Sequence, residues 1–367
     1  MANLKFSLPY NNNPDTLIQM LKLQSYGGSN IYEVYLSGPQ EYSGSGRIVS
    51  KVSLDDFIDK VNTIHAAGIR VNLVLNTVCG GAHWYTTNAR SQLIDYLIRM
   101  HREHGVEAVT VANPVYIEEI KQRVPELEVC ASVLSDIDSV QRALGVKRAG
   151  ADVITPDANI NRNLSLLREI KETTGLKLKI MVNEGCLYRC LYRKFHFNYV
   201  SHYSKEVNQA HPEMKDFFTH CMSITCKDNS QILKSGWIRP EDLESYDGIT
   251  DLFKIVGRTQ PASMVLRTAT AYMGKSYPGN VLDLMCSSLN AFSMTYGAYL
   301  DSTKLSEAGF FQRLSTCNQQ CSSCKYCENL ALDLVKLKMV TREKLEDMGR
   351  KDLADKLEAE GRLPFAA

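Results

Sequence analysis

The sequence predicts a (β/α)8 barrel of the TIM type, in the α/β class, followed by a C-terminal extension. Short apolar runs rich in β-branched residues alternate with helical segments from the N-terminus onward, which is the pattern of repeated βα units. Runs such as LKIMV at 178–182 are expected for parallel strands covered on both faces. Glycines such as Gly105 and Gly175 mark helix ends before the next run. Eight such units favour a closed barrel over an open sheet.

The predicted strands and helices alternate along most of the chain. The eight strand candidates share an apolar, largely β-branched composition: Leu4–Tyr10, Ile31–Leu36, Val71–Thr77, Ala108–Ala112, Val129–Leu134, Val153–Pro156, Leu178–Val182 and Leu252–Val256. The helical segments between them combine apolar and polar faces: Leu54–His65, Gln92–Glu103, Tyr116–Arg123, Ser139–Ala149 and Leu164–Thr173.

A long insertion interrupts this alternation once. Residues 183–251 separate the seventh predicted strand from the eighth. Because barrels of this type build their active sites from the loops after the strands, we expect the insertion on the catalytic face. Residues 1–275 then form the barrel with its insertion, and residues 276–367 form a Cys-rich helical extension. The Leu-, Lys- and Glu-rich end of the chain predicts two amphipathic helices that cover the barrel or a partner.

Composition and charge argue against several classes of function. Hydrophobic residues make up 44% of the chain and charged residues 23%, as in an ordinary protein with a full core. The net charge of +1 gives no overall field that attracts nucleic acid or an anionic membrane. The start, MANLKFSLPYNNN, lacks the features of a secretory signal, and no apolar run is long enough to span a membrane, so we expect a cytoplasmic protein. In that compartment eleven cysteines indicate metal ligands and buried thiols, not disulfides.

Four cysteines lie within eleven residues of the extension: Cys317, Cys321, Cys324 and Cys327. A zinc site usually takes two cysteine pairs with a loop between them, and no such loop is present. The packed spacing resembles ferredoxin-type ligation of a [4Fe–4S] cluster, with zinc or a redox-active thiol group as alternatives. The first three also have the spacing of radical S-adenosylmethionine enzymes. Because they follow the whole barrel, we interpret that match as coincidence.

A looser set of cysteines predicts a second site in the insertion. Cys186 and Cys190 follow the seventh strand, and Cys221 and Cys226 complete the set further along. Cys286 is the rival for the fourth position. We expect one or two [4Fe–4S] clusters per chain, with zinc as the less favoured metal.

Polar side chains follow most of the predicted strands and form a candidate substrate pocket. The carboxyl ends of the strands meet on one face of a barrel, so these side chains are expected near one another. The predicted substrate contacts are Asn11, Asn76, Asn113, Asp157, Asn183 and Arg258. Arg258 suits a carboxylate, since its guanidinium can pair through two hydrogen bonds, and Glu184 and Arg258 are the predicted catalytic residues. The sequence contains no G-x-S-x-G, H-E-x-x-H or P-loop motif.

Three segments resemble a known family: MVNEGCLYRC at 181–190, WIRPEDLESYDGITDLFKIVGR at 237–258 and AYMGKSYPGN at 271–280. They look like the collagenase-like peptidase family U32, in which a strand ending in KIxGR is followed by a helix with an aromatic motif. The resemblance implies a barrel that carries a four-cysteine [4Fe–4S] cluster. It also points to relatives that act in oxygen-independent hydroxylation of ubiquinone precursors or RNA bases, with prephenate as oxygen donor. The C-terminal cysteine group is additional to the family pattern.

The sequence therefore favours an iron–sulfur redox enzyme that performs oxygen-independent hydroxylation on an organic or macromolecular substrate. The insertion cluster would bind or activate the substrate, and the C-terminal cluster would relay electrons or brace the extension. Two alternatives stay open: a U32-type peptidase, and a non-catalytic iron–sulfur or zinc scaffold protein. The expected partners are a small-molecule or modified-macromolecule substrate and an electron donor or partner subunit, with no membrane and no overall nucleic-acid footprint.

Overall fold

Eight parallel strands close into a barrel in the computed structural model, which describes residues 3–39, 44–47, 52–203, 217–337, 342, 346 and 351–359. The strands pair in chain order, and the eighth closes the ring by pairing with the first. Their bounds are β1 Lys5–Pro9, β2 Asn30–Ser37, β3 Arg70–Leu75, β4 Ala108–Val111, β5 Glu128–Ala131, β6 Val153–Ile154, β7 Lys177–Met181 and β8 Leu252–Lys254. Each overlaps a predicted run, so the predicted TIM-type barrel is confirmed.

One helix follows each of the first six strands and covers the outside of the barrel. These helices are α1 Pro14–Leu21, α2 Leu54–Ala66, α3 Thr87–His104, α4 Pro114–Arg123, α5 Val140–Arg148 and α6 Leu164–Thr174. Asn13 and Asn113 cap α1 and α4 through their side chains, and each is followed by a proline whose fixed φ suits the first helical position. Gly105 ends α3 at φ +72°, where a side chain would be strained. The five predicted helices match α2 to α6.

The insertion between β7 and β8 folds mainly into helices. It contains α7 Arg193–Tyr203, α8 Phe217–Lys227 and α9 Ser230–Lys234, and α10 Ala262–Met273 follows β8. Asn183 ties the start of the insertion to the end of β8. Its amide donates to the carbonyl oxygens of Val256 at 2.9 Å and Leu284 at 3.1 Å, and its oxygen accepts from the Val256 amide at 2.7 Å. These contacts fix the first residues of the insertion over the carboxyl end of the barrel.

A buried polar network crosses the interior of the barrel. Lys179 of β7 and Glu33 of β2 form an ion pair at 2.5 Å, and neither side chain is exposed. Ser7 donates to the same carboxylate at 2.5 Å, Asn72 donates to its second oxygen at 3.1 Å, and Thr110 donates to Asn72 at 2.8 Å. The network links five strands: β1, β2, β3, β4 and β7. Both of its charges are paired, which is the condition under which a buried polar layer stabilises a fold.

The extension packs against the insertion. It contains α11 Ser287–Tyr296, α12 Ser302–Glu307, α13 Phe310–Ser315, α14 Tyr326–Leu334 and an antiparallel pair of short strands, β9 Ala298–Tyr299 and β10 Lys336–Leu337. Trp237 of the insertion stacks on Phe310 of α13, with ring centroids 5.3 Å apart. Apolar residues on both sides of residue 275 belong to one continuous core.

Among the described residues, α14 and a C-terminal helix, Lys351–Ala359, lie in the part of the chain where two amphipathic helices are predicted. Residues 338–341, 343–345, 347–350 and 360–367 fall outside the described residues. Over the described ranges, no helix is both long enough and apolar enough to cross a membrane.

Candidate active site at the barrel mouth

A pocket opens at the carboxyl ends of the strands, where the insertion and the loop after β2 meet. Its charged lining consists of Arg47, Glu184, Lys254 and Arg258, with Tyr35, Asn76, Ser132 and Cys286 among the other lining residues. A larger cavity of about 590 Å³ opens at the opposite end, beside the first residues of β1, β7 and β8. In barrels of this type the chemistry lies at the carboxyl ends of the strands, so the mouth pocket is the candidate active site despite its smaller size.

Arg258 contributes a buried cation to this pocket. It follows β8, and its guanidinium donates to the Ser37 hydroxyl and lies 5.8 Å from the centroid of the Tyr35 ring. Among the described residues no carboxylate lies within ion-pair distance of it. Burial and then the nearby Arg47 lower the pKa of Arg258 to about 10, against the opposing effect of Tyr35. Arg258 is therefore cationic at neutral pH and is placed to bind an anionic group.

Lys254 is the second cation of the pocket and has an unusual environment. It ends β8, is 8% exposed and places Nζ 4.0 Å from the centroid of the Tyr35 ring. Its amine makes no hydrogen bond or ion pair within the described part of the chain. Burial and then the charge of Lys179 lower the pKa of Lys254 to about 7. A substantial fraction of this amine is therefore neutral, and basic, at physiological pH.

Glu184 has its oxygens occupied by neighbours. It pairs with Arg47 at 3.1 Å and accepts hydrogen bonds from the Ser287 hydroxyl at 2.6 Å and the Cys186 thiol at 3.1 Å. Burial favours the protonated carboxyl, but the Arg47 charge and the Ser287 hydrogen bond outweigh it and lower the pKa of Glu184. Glu184 thus stays ionised and holds the Arg47 side chain over the pocket.

The structure brings together three of the seven predicted polar site residues: Asn76, Glu184 and Arg258 line the mouth pocket. The oxygen of Asn76 accepts a hydrogen bond from the Gly46 amide at 2.9 Å. The other four lie outside the pocket lining, and each makes a contact that shapes the backbone. Asn113 and Asp157 cap helical turns, Asn11 donates to the Gln260 carbonyl, and Asn183 joins the insertion to β8.

Two of the four charged residues of the pocket, Arg47 and Lys254, are not among the predicted site residues. Arg47 lies in the loop after β2, a segment without any recognisable motif. Lys254 carried a signal, because a lysine inside an apolar strand that is buried on both faces needs a particular reason to be there. The same signal marks Lys179.

The insertion cysteines line a second pocket beside the first. Cys186, Cys190 and Cys221 share it with Arg47, Arg193, His196 and Phe197. A hydrogen bond with Cys221 lowers the pKa of Cys190 to about 6, although burial opposes the shift. Cys226 belongs to the apolar core instead, and Cys286 lines the mouth pocket.

The extension cysteines line a third pocket between the extension and the insertion. Cys317, Cys321 and Cys327 share it with Arg162, Lys234 and Tyr188. Cys324 lies outside this lining and accepts a weak hydrogen bond from Arg313 at 3.7 Å.

The described residues show no group of three or more His, Cys, Asp or Glu side chains arranged to hold a metal ion. At the insertion site three thiols line one pocket, but the fourth predicted ligand, Cys226, lies in the core. The donor set as it stands does not fit a four-cysteine cluster. Metal ligation by either cysteine set stays a prediction.

The closed barrel, its insertion and the cation-lined mouth pocket define a (β/α)8 protein with an enzyme-like site at the carboxyl ends of its strands. The family model described as Peptidase family U32 matches residues 19–277. The chain belongs to this family.

Two further similarities agree with that assignment. An uncharacterized protease of Methanocaldococcus jannaschii is 34% identical over 311 residues, which cover 84% of this chain and 90% of that protein. The solved structure of the U32 peptidase Mk0906 superposes with a TM-score of 0.54 at 18% identity, covering 71% of this chain and 95% of that one, and shows the shared fold.

These comparisons correct the predicted function. The prediction of an iron–sulfur redox enzyme for oxygen-independent hydroxylation is wrong, because the matching family is a peptidase family and the relative that spans most of the chain is named a protease. The comparisons favour the peptidase alternative. Dense cysteines favour metal chemistry, but their spacing alone does not specify a reaction.

Proposed function

We propose that this protein is a peptidase that hydrolyses amide bonds of peptides in the mouth pocket. Membership of the U32 family and the relative named a protease support the reaction class. The observation that carries the proposal is the environment of Lys254. Its amine lies in the pocket beside two arginines and, among the described residues, has no acceptor that would hold its proton.

Lys254 acts as the general base in this proposal. The neutral amine takes a proton from a water molecule as the water oxygen attacks the scissile carbonyl carbon, forming a tetrahedral oxyanion. The resulting ammonium then gives that proton to the amide nitrogen as the C–N bond breaks. The products are a carboxylic acid, which ionises, and a free amine. A base whose pKa lies near the working pH is the effective choice for such a transfer.

The arginines supply charge to the substrate and the transition state. Arg258, which has no carboxylate partner in the described chain, binds a carboxylate of the peptide, either its C-terminus or an acidic side chain. Arg47 is held over the same pocket by Glu184 and contributes positive charge where the oxyanion forms. In this proposal Arg258 contacts the substrate, and Glu184 acts through Arg47.

The test is peptide cleavage by the purified full-length protein, read by mass spectrometry on a mixture of peptides with free and amidated C-termini. We expect cleavage by the wild type and a loss of about 10²- to 10⁴-fold in Lys254→Met. Lys177→Met is the matched control, since Lys177 is exposed at the other end of the barrel. Cleavage that survives in Lys254→Met would overturn the assigned base.

The insertion thiols give this test a second arm. The pKa of Cys190 is low enough for a thiolate at neutral pH, so a thiol could be the attacking group. If Cys190→Ser abolishes cleavage and Lys254→Met does not, the nucleophile is the thiol and the role given to Lys254 is wrong. If neither the wild type nor the controls cleave any peptide, the peptidase proposal fails as a whole.

A further inference from the structure

The mouth pocket ends inside the barrel and does not pass through it. Below the pocket, the buried network around Lys179 and Glu33 fills the interior, and neither of these side chains is exposed. Lys254, which lines the pocket, stands beside Ser7 of this network in the register of β8 and β1. A polypeptide can therefore enter the pocket only from the mouth, and it meets a closed floor.

The pocket is also small. Its volume is about 50 Å³, whereas the cavity at the opposite end of the barrel measures about 590 Å³. A buried water molecule needs roughly 10–15 Å³ of such space, so the pocket has room for a few water molecules or for one small residue. An internal stretch of peptide would have to bring a bend and two chain segments into this space. A single residue at a chain end needs less room, so the pocket favours a chain end.

The charges of the pocket select between the two ends of a peptide. Arg47, Lys254 and Arg258 line the pocket, and among the described lining residues the Glu184 carboxylate is already paired with Arg47. A peptide N-terminus is largely an ammonium group at neutral pH and would be repelled by this lining. A C-terminal carboxylate would be attracted, and it can accept two parallel hydrogen bonds from the Arg258 guanidinium. The lining therefore favours the C-terminal end.

The spacing of Lys254 and Arg258 matches the length of one residue. Lys254 Nζ lies 4.0 Å and Arg258 Cζ lies 5.8 Å from the centroid of the Tyr35 ring, so the two atoms are at most 9.8 Å apart, the sum of these distances. The ring is fixed, because its hydroxyl donates to the Ile255 carbonyl at 2.8 Å. Consecutive Cα atoms are roughly 3.8 Å apart, and a hydrogen bond spans about 2.9 Å. One residue with a hydrogen bond at each end therefore bridges the two groups, and a carboxylate on Arg258 places the last peptide bond near the amine.

We propose that the mouth pocket binds the C-terminal residue of a peptide and that the enzyme is a carboxypeptidase, an inference that rests on the proposed peptidase activity. Arg258 holds the terminal carboxylate, and Lys254 takes a proton from the water that attacks the carbonyl carbon of the last amide bond. The C–N bond breaks as the amide nitrogen receives that proton. The products are one free amino acid and a peptide that is one residue shorter and ends in a new carboxylate. Because the pocket is small, residues such as Gly and Ala are preferred over aromatic ones at the C-terminus.

The test gives the full-length protein one peptide without acidic residues in three forms: free at both ends, acetylated at the N-terminus, and amidated at the C-terminus. Mass spectrometry identifies the products. We expect the free and acetylated forms to lose single residues from the C-terminus at similar rates, and the amidated form to react at least 10-fold more slowly. Replacing a C-terminal Ala by Trp should slow release several-fold.

Variants of Arg258 test the carboxylate contact. In Arg258→Gln the free and amidated forms should react at equal, low rates, whereas Arg258→Lys keeps the charge and should retain part of the preference for the free form. Arg102→Gln is the control and should behave as the wild type, since Arg102 is exposed on α3. Circular dichroism gives the folded fraction of each variant, and rates are expressed per folded chain.

Two outcomes overturn the carboxypeptidase assignment and leave the peptidase proposal in place: internal cleavage that amidation does not slow, and cleavage that acetylation of the N-terminus abolishes. If no form is cleaved, the peptidase proposal fails, and binding to Lys254→Met, measured by isothermal titration calorimetry, decides whether the pocket recognises a chain end. Free-acid peptide that binds at least 10-fold more tightly than its amide, with the difference lost when Arg258→Gln is added, supports the recognition. Equal binding of the two forms overturns it.

Discussion

The barrel holds two buried lysines on neighbouring strands, and their surroundings differ completely. Lys179 of β7 is fully buried and pairs with Glu33, whereas Lys254 of β8 faces the mouth pocket with no acceptor in the described chain. In the register of the two strands Lys254 stands beside Met181, two residues beyond Lys179. Burial opposes protonation of both. At Lys179 the neighbouring charges, among them Glu33, outweigh burial and raise the pKa, while at Lys254 burial prevails and lowers it. Lys179 therefore contributes to the stability of the barrel, whereas Lys254 is available to act as a base.

The largest expected effect separates the two lysines by stability. Lys179→Met leaves the Glu33 carboxylate buried without its counter-ion, so we expect a loss of about 3–5 kcal/mol in the free energy of unfolding. Lys254→Met removes a buried amine that has no hydrogen-bond acceptor and no carboxylate partner among the described residues, so the variant should be at least as stable as the wild type at pH 7. Urea unfolding at pH 7 measures both. Equal destabilisation of the two variants would break the comparison, because it would mean that Lys254 also has a structural partner.

The second prediction distinguishes Lys179 from Lys254 by the pH dependence of stability. Lys254 is held below its ordinary pKa, so between about pH 7 and 10.5 the unfolded chain binds the proton and the folded chain does not. Stability from this group therefore rises with pH across that window, by a few kcal/mol at most. Lys179 is raised above its ordinary value, so its contribution is complete below pH 10.5 and is lost only above it. Urea unfolding at pH 7 and pH 9.5 should show a positive slope in the wild type that is reduced in Lys254→Met. An unchanged slope in the variant contradicts the shifted pKa.

The third prediction concerns another cation of the pocket, Arg258. Since it donates to a substrate carboxylate in the proposed complex, Arg258→Gln should weaken binding of peptides with that carboxylate by about 1.5–3 kcal/mol, or roughly 10- to 150-fold in KM. Peptides amidated at the C-terminus, and peptides with an acidic residue replaced by its amide, distinguish the two sources of the carboxylate. A KM that changes equally for all peptides would show that Arg258 does not recognise a carboxylate.

The barrel was predictable because its signal is local. Runs such as Leu178–Val182 and glycines such as Gly105 report on neighbouring residues only, and the approximate positions of the eight strands and of α2 to α6 follow from them. The site depends on contacts between distant residues. Arg47 meets Glu184 across 137 positions of sequence, and the difference between Lys179 and Lys254 depends on where Glu33 lies inside the barrel.

Helix capping explains why some of the predicted polar residues lie outside the pocket. A polar residue after a strand can face a substrate or cap the next helix, and both uses favour the same residue types. Asn113 and Asp157 turn out to be caps. Only the three-dimensional arrangement distinguishes these two uses. In the structure, Asn76 lines the pocket and Asn113 does not.

The smallest expected effect is that of Glu184→Gln, which tests how the mouth pocket is joined to the insertion thiols. The substitution keeps the shape of the side chain but removes the charge that holds Arg47, so we expect a loss of about 1 kcal/mol in the free energy of unfolding. Burial and then the Glu184 charge raise the pKa of the Cys186 thiol. Removing the charge lowers this pKa, so Cys186 should be alkylated by iodoacetamide several-fold faster at pH 8, with the rate read by peptide mass spectrometry. Cys79 is the internal control and should not change. If Cys186 reacts at the wild-type rate, the carboxylate does not govern the thiol, and the mouth pocket and the insertion cysteines are electrostatically independent.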